Sequence, residues 1–195
     1  MTLLLLACAQ TDSGFDTGTA DTASPAATVI PGEVLVNEVM FDPSLVDGDF
    51  GEWLEILNVS DAEVDLAGVI LHDDDNAGFV IAGSLPVPAG GVVVLGPSAD
   101  STANGGVQID YAYSIDAVKL GNQGDTLTLS AGGVALDTFT WDATVFTVAE
   151  GSALQLSPGV DAPDGNDSPD AWCLATAAYG SGDLGSPGGA NGACE

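Results

Sequence analysis

From Glu33 onward the chain is a series of short runs in which apolar and polar positions alternate. EVLVNEVMF (33–41), EWLEILNVS (52–60) and AEVDLAGVILHD (62–73) read as strands. FVI (79–81), GVVVLG (91–96), VQIDYAYSI (107–115), DTLTLS (125–130), VALDTFTW (134–141) and ALQLS (153–157) continue the series. A period of two places one face of a strand on a core and the other towards solvent. Between the runs lie DPSLVDGD, DDDNAG, PVPAGG, GPSADSTANGG, GNQGD and SAGG. These are turn formers: Gly admits positive φ, Pro presets φ, and Asp and Asn bond their own backbone. No window long enough for a helix carries an apolar period of 3.6 residues free of Gly and strand formers, and no apolar run reaches membrane-spanning length. The pattern predicts an all-β sandwich or barrel of many short strands.

Composition agrees. The 195 residues include 26 Gly and 10 Pro, about 18% of the chain, against an average near 12%. Acidic residues number 29, and by residue type they are 22 Asp and 7 Glu. Asp favours turns and disfavours helix interiors. One Lys and no Arg leave a formal net charge of −28. Binding DNA or RNA requires cations to neutralise phosphates, so a nucleic-acid reader is excluded, and so is attraction to anionic lipid headgroups. With 46% hydrophobic and 15% charged residues, the chain has apolar surface enough for a core and does not read as an acidic coil. Within the runs the acids are few: Glu33, Glu38, Glu52, Glu55, Glu63, Asp65, Asp73, Asp110, Asp125 and Asp137. The remaining acidity belongs to turns and to the N-terminal segment.

Ahead of the first strand, residues 1–8 end in LLLLAC. Leu5, Leu6, Ala7 and Cys8 resemble the lipid-attachment box of bacterial lipoproteins, with an apolar run followed by a small residue at the cleavage point. Cys8 is the expected lipidation site. Only Met1 and Thr2 precede the apolar run, whereas such segments carry a positive start and about 7–15 apolar residues; the segment reads as truncated, with the true start expected upstream. Residues 9–32, rich in Thr, Asp, Ala, Ser and Pro, are expected to form a flexible tether spanning about 27 Å. Removing a lipidated Cys8 from three cysteines leaves Cys173 and Cys194, an expected disulfide in an oxidising compartment. Two free thiols are the alternative. A zinc site lacks paired ligand spacing.

The order of the motifs resembles a family. It runs Val36-Asn37-Glu38-Val39-Met40, then Gly51-Glu52-Trp53-Leu54-Glu55-Ile56-Leu57-Asn58 and Val64-Asp65-Leu66-Ala67-Gly68-Val69-Ile70-Leu71. Pro88-Ala89-Gly90-Gly91 leads into Val92-Val93-Val94-Leu95, and Gly124-Asp125-Thr126-Leu127-Thr128-Leu129 and Gly151-Ser152-Ala153-Leu154-Gln155-Leu156 close the set. Residues 33–157 resemble the lamin tail domain, and Trp172-Cys173 through Ser186-Pro187-Gly188-Gly189-Ala190-Asn191 resemble the closing element of its bacterial versions. The resemblance implies an immunoglobulin-like β-sandwich over 33–195. It also implies that Glu38, Glu52, Glu55, Asn37 and Asn58 tie strand ends to loop backbone, rather than act as acids and bases. Glu52 and Glu55 fall on opposite faces of one strand. Glu38 approaches Glu55 if the first two strands pair, which would raise a carboxyl pKa.

Few residues point to catalysis. His72 is the only histidine, at a strand end beside Asp73, and no G-x-S-x-G elbow surrounds a serine. Trp53, Trp141 and Trp172 read as core residues, and Lys119 as the partner of a nearby Asp. Asn58-Val59-Ser60 and Asn166-Asp167-Ser168 match the glycosylation sequon, without consequence for a bacterial lipoprotein. The best ligand candidates lie in three loops: Asp42, Asp47 and Asp49; Asp73, Asp74 and Asp75; Asp161, Asp164, Asn166 and Asp167. Calcium takes about 6–8 oxygen ligands from such loops; solvated turn aspartates are the alternative. The expectation is a non-enzymatic, exported and lipid-anchored module at the outer membrane or cell surface, or otherwise secreted. Its partner would be a protein, an envelope component or a polysaccharide. The alternative is a calcium-stabilised accessory domain of a secreted hydrolase system.

Overall fold

A computed structural model describes residues 29–194. Cys8 and residues 9–28 of the expected tether lie outside them. Val29, the first described residue and four positions ahead of Glu33, is buried in the main core.

The strands are β1 (Val34–Met40), β2 (Trp53–Asn58), β3 (Val64–Asp65), β4 (Ile70–His72), β5 (Phe79–Val80), β6 (Pro86–Val87), β7 (Val92–Gly96), β8 (Tyr111–Ala112), β9 (Gly124–Ala131), β10 (Val134–Asp142), β11 (Leu154–Leu156) and β12 (Trp172–Leu174). A single helical turn, α1 (Gly48–Gly51), interrupts the β1–β2 loop. One sheet has six strands in the order β12-β11-β1-β2-β7-β8, and the other has four, β10-β9-β4-β5. The short ribbon β3-β6 stands apart. Every pairing is antiparallel except β7 with β8. The main core includes Val36, Val39, Leu54 and Ile56 of the six-stranded sheet and Leu71, Leu127, Leu129 and Phe139 of the four-stranded sheet. Trp141 and Trp172 close it, each stacking on Phe139, at 5.7 and 4.0 Å between centroids.

β1 is buried at all seven positions, because the six-stranded sheet is covered on both faces. Met40, Trp53 and Val94 project to the outer face, where Val107, Ile109, Ala153 and Ala175 form a second apolar layer with them. Gly185 lies flat on this layer: a Cβ there would come within 2.9 Å of the Trp53 ring. Tyr179 meets the same ring edge-on and accepts the Trp53 indole N–H at 3.1 Å.

Three expectations need correction. The run 62–73 is not one strand: it divides between β3 and β4, in different sheets, at Gly68, whose φ of 83° is left-handed backbone. Asp65 holds that corner by accepting the Ala67 and Leu85 amides. The turn-like Pro86–Val87 is a strand paired with β3. Within 107–115 only Tyr111 and Ala112 pair, and Asp110 accepts the Val94 amide at 2.8 Å through its side chain.

Candidate functional site

β1 carries a bulge. Val36 pairs with Ile56 and Glu38 with Glu55, so Asn37 is the extra residue. An extra residue shifts the alternation by one. Val36 therefore faces inward with Ile56, while Glu38 and Glu55 stand opposite each other on the outer face. Both glutamates are completely buried. Their cover is the C-terminal strap, residues 185–194. Glu38 accepts the Ser186 amide at 2.9 Å and the Ser186 hydroxyl at 2.9 Å. Glu55 accepts the Gly188 amide at 2.8 Å and the Asn37 side-chain amide. Asn191 donates to the carbonyls of Asn37 and Leu156, each at 2.9 Å. Gln155, opposite Glu38 on β11, donates to the Gly192 carbonyl at 3.0 Å. The strap ends in the Cys173–Cys194 disulfide, with Cα atoms 5.5 Å apart.

Burial pushes both carboxyls up to about 7, against the opposing pull of their hydrogen-bond donors. Each glutamate's charge adds to a site with no cation among the described residues; for Glu55, Glu38 and Asp110 raise the pKa further. Glu52, on the opposite face as its spacing from Glu55 requires, accepts the Leu120 amide at 2.8 Å and is also pushed up to about 7 by burial.

Beside the strap runs a groove of about 480 Å³. Asn37 and Leu57 form its floor, the Pro88 and Gly90–Val92 turn one wall, and Gly188–Asn191 the other, with Pro158 at the rim. None of these lining residues is ionisable. The groove offers backbone amides, two carboxamides and apolar surface, which suits contact with an uncharged polar or extended ligand.

The loop aspartates bond as follows. Asp42 accepts the Asn122 side chain, and Asp47 caps α1 through the Asp49 amide. Asp49 pairs with Lys119 at 2.7 Å, with both side chains more than half exposed. Asp73 accepts the amides of Asp75, Asn76 and Lys119. Asp164 and Asp167 line an open cleft beside Asp137, and Asp161 lies in the loop before them. Among the described residues no three His, Cys, Asp or Glu side chains converge to hold a metal ion. Asp42, Asp47, Asp49, Asp73, Asp75, Asp161, Asp164 and Asp167 therefore form no common ligand set. The reason is local: Asp47 and Asp73 turn their oxygens back on their own backbone.

His72 ends β4, its Nδ1 3.2 Å from the Asp73 carbonyl. Asn58 and Asn166 are fully buried, and their side chains bond backbone carbonyls, Asn58 those of Ala62, Val87 and Pro88. The reading of Asn37, Glu38, Glu52, Glu55 and Asn58 as strand-to-loop ties matches these contacts. Sequence reasoning missed the partners Ser186, Gly188 and Asn191, and it read Asn166 as a loop ligand candidate rather than as a buried tie to Val36 and Asp137. Only the closing motif and the acids inside strands hinted at them.

A family model, the Lamin Tail Domain, matches residues 29–143, more than half of the chain. The chain belongs to the lamin tail domain family. The family is one of non-catalytic immunoglobulin-like β-sandwiches, and the packed sheets described above have that fold. No curated protein matches the chain. The lamin tail match starts at the buried Val29 and stops just past β10, so β11, β12 and the strap lie beyond it. In this lamin tail domain β11 nevertheless pairs with β1, and the strap seals β1 from outside. Among the described residues no helix is long and apolar enough to cross a membrane.

Proposed function

We propose that the protein is an exported, lipid-anchored surface module that binds a protein, an envelope component or a carbohydrate without chemically changing it. The observation that carries the reading is the groove between the Pro88–Val92 turn and the strap. It is concave and has an uncharged lining, in a chain of net charge −28. Recognition there would rest on hydrogen bonds and apolar contact rather than on charge. The paired carboxyls Glu38 and Glu55 are held beneath the strap by Ser186 and Gly188, which supports a structural use for them. The alternative of a calcium-stabilised accessory domain of a hydrolase system has no converging ligand set among the described residues to support it.

The binding test uses purified protein on arrays of neutral glycans and peptides, with Ala190→Trp as the variant. Ala190 is exposed on the groove wall, so an indole there fills the groove without entering the core. Retention by wild type and at least about tenfold weaker retention by the variant is the expected result. Equal binding by both proteins, or none by wild type, would overturn the assignment of the groove. The anchor is tested separately by mass spectrometry of the mature N-terminus. An acylated Cys8 is expected; an intact Met1 or a bare Cys8 refutes the anchor.

A further inference from the structure

The Glu38–Glu55 pair is unusual in what surrounds it. Two carboxyls face each other across adjacent strands, both fully buried. β11 contributes Gln155, the bulge contributes Asn37, and the strap contributes Ser186 and Asn191. Tyr179 and Asp183 lie in the segment leading into the strap, and Asp110 approaches from the loop before β8. Among the described residues, every titratable group facing the pair is therefore acidic or phenolic, and none is a cation. Two buried like charges without a counter-ion repel and are poorly solvated. The strap is what excludes the water, and its amides at Ser186 and Gly188 are the bonds that close it.

We propose that residues 186–192 form a proton-operated clasp: closed while the Glu38–Glu55 pair holds a proton, and loosened when both carboxyls are ionised. The segment is held at both ends, by the Gly185 amide on the Ala177 carbonyl at 2.8 Å and by the Cys173–Cys194 disulfide. Loosening is then a bulging of the middle, not a release of the terminus. It admits water to both carboxyls and moves Gly188–Asn191, which are also one wall of the groove. The shape of the groove follows the state of the clasp.

The direction follows from linkage. Burial raises each carboxyl from 4.5 to about 7 in the closed form, so the closed form holds protons more tightly. Closure is favoured most below the open-state value. It weakens by about tenfold per pH unit for each proton lost as pH rises towards 7, and levels off above.

Hydrogen exchange followed by mass spectrometry tests this without any ligand. Exchange of the 186–192 amides is compared between pH 5 and pH 8, with rates corrected for intrinsic chemistry. Amides of the β9–β10 hairpin serve as the internal reference. In wild type, strap protection is expected to fall at least about tenfold relative to that reference. Glu38→Gln and Glu55→Gln keep the side-chain shape and remove one ionisation each, and either is expected to make the dependence shallower than in wild type. Should one variant fail to fold, the other serves. Protection that is flat in wild type, or that falls equally in the variants, would overturn the clasp.

Discussion

Asp137 of β10 accepts the backbone amide of Val36 in β1 at 2.7 Å, at the point where each strand carries an extra residue. A bulge interrupts its own ladder, and the carboxylate joins the two sheets at that point. Asn166 donates to the same oxygen at 2.9 Å and to the Val36 carbonyl at 3.2 Å. Replacing Asp137 by Ala leaves the Val36 amide and one Asn166 donor buried and unpaired. The expected cost is about 3 kcal/mol, read as a lower urea midpoint with an unchanged m-value.

Stability should fall as pH rises. Glu38, Glu52 and Glu55 are pushed up to about 7 and Asp137 to about 6, all by burial. A carboxyl whose folded pKa is raised stabilises the fold fully below its unfolded value and loses that contribution as pH passes the folded value. The thermal midpoint is expected to be higher at pH 5.5 than at pH 8. Surface self-repulsion in a chain of charge −28 acts in the same direction but is screened by salt. Added sodium chloride should therefore narrow the difference without abolishing it. An identical midpoint at both pH values would contradict the burial of these four groups.

Loss of the disulfide should act through the strap. Cys173 and Cys194 are 21 positions apart, and closing a loop of that size contributes about 3 kcal/mol in the chain-entropy picture. Cys194→Ser, measured by denaturant unfolding beside wild type, is expected to lose a comparable amount. Proteolytic nicking should then begin in residues 186–194 while the β9–β10 hairpin stays intact.

Calcium should leave the melt where it is. Asp47 and Asp73 already accept backbone amides, and no three acidic, His or Cys side chains meet among the described residues. Equal thermal midpoints in millimolar calcium and in chelator are the expected outcome. A calcium-dependent rise would show a ligand set that the folded loops do not display.

The strands and turns could be read directly because they depend on neighbours in sequence. Alternation at 52–60 and 134–141 and the Gly and Asp of the turns set local backbone preference, and β2 and β10 appear as their patterns require. The order of motifs was enough to recognise the lamin tail domain, and the spacing of Glu52 and Glu55 was enough to put them on opposite faces. The bulge at Asn37 could not be read this way. VNEVM alternates acceptably with or without it, and the choice is made by the Asp137 and Asn191 contacts that reward the extra residue. The partners of Glu38 and Glu55 were hidden for the same reason: Ser186 and Gly188 are 148 and 133 positions away. The sequence by itself determined an acidic, turn-rich β-protein with a few acids inside its strands. Only the tertiary structure decided that Glu38 and Glu55 are buried as a pair, because burial depends on which distant segment covers a face, and local propensity carries no information about that.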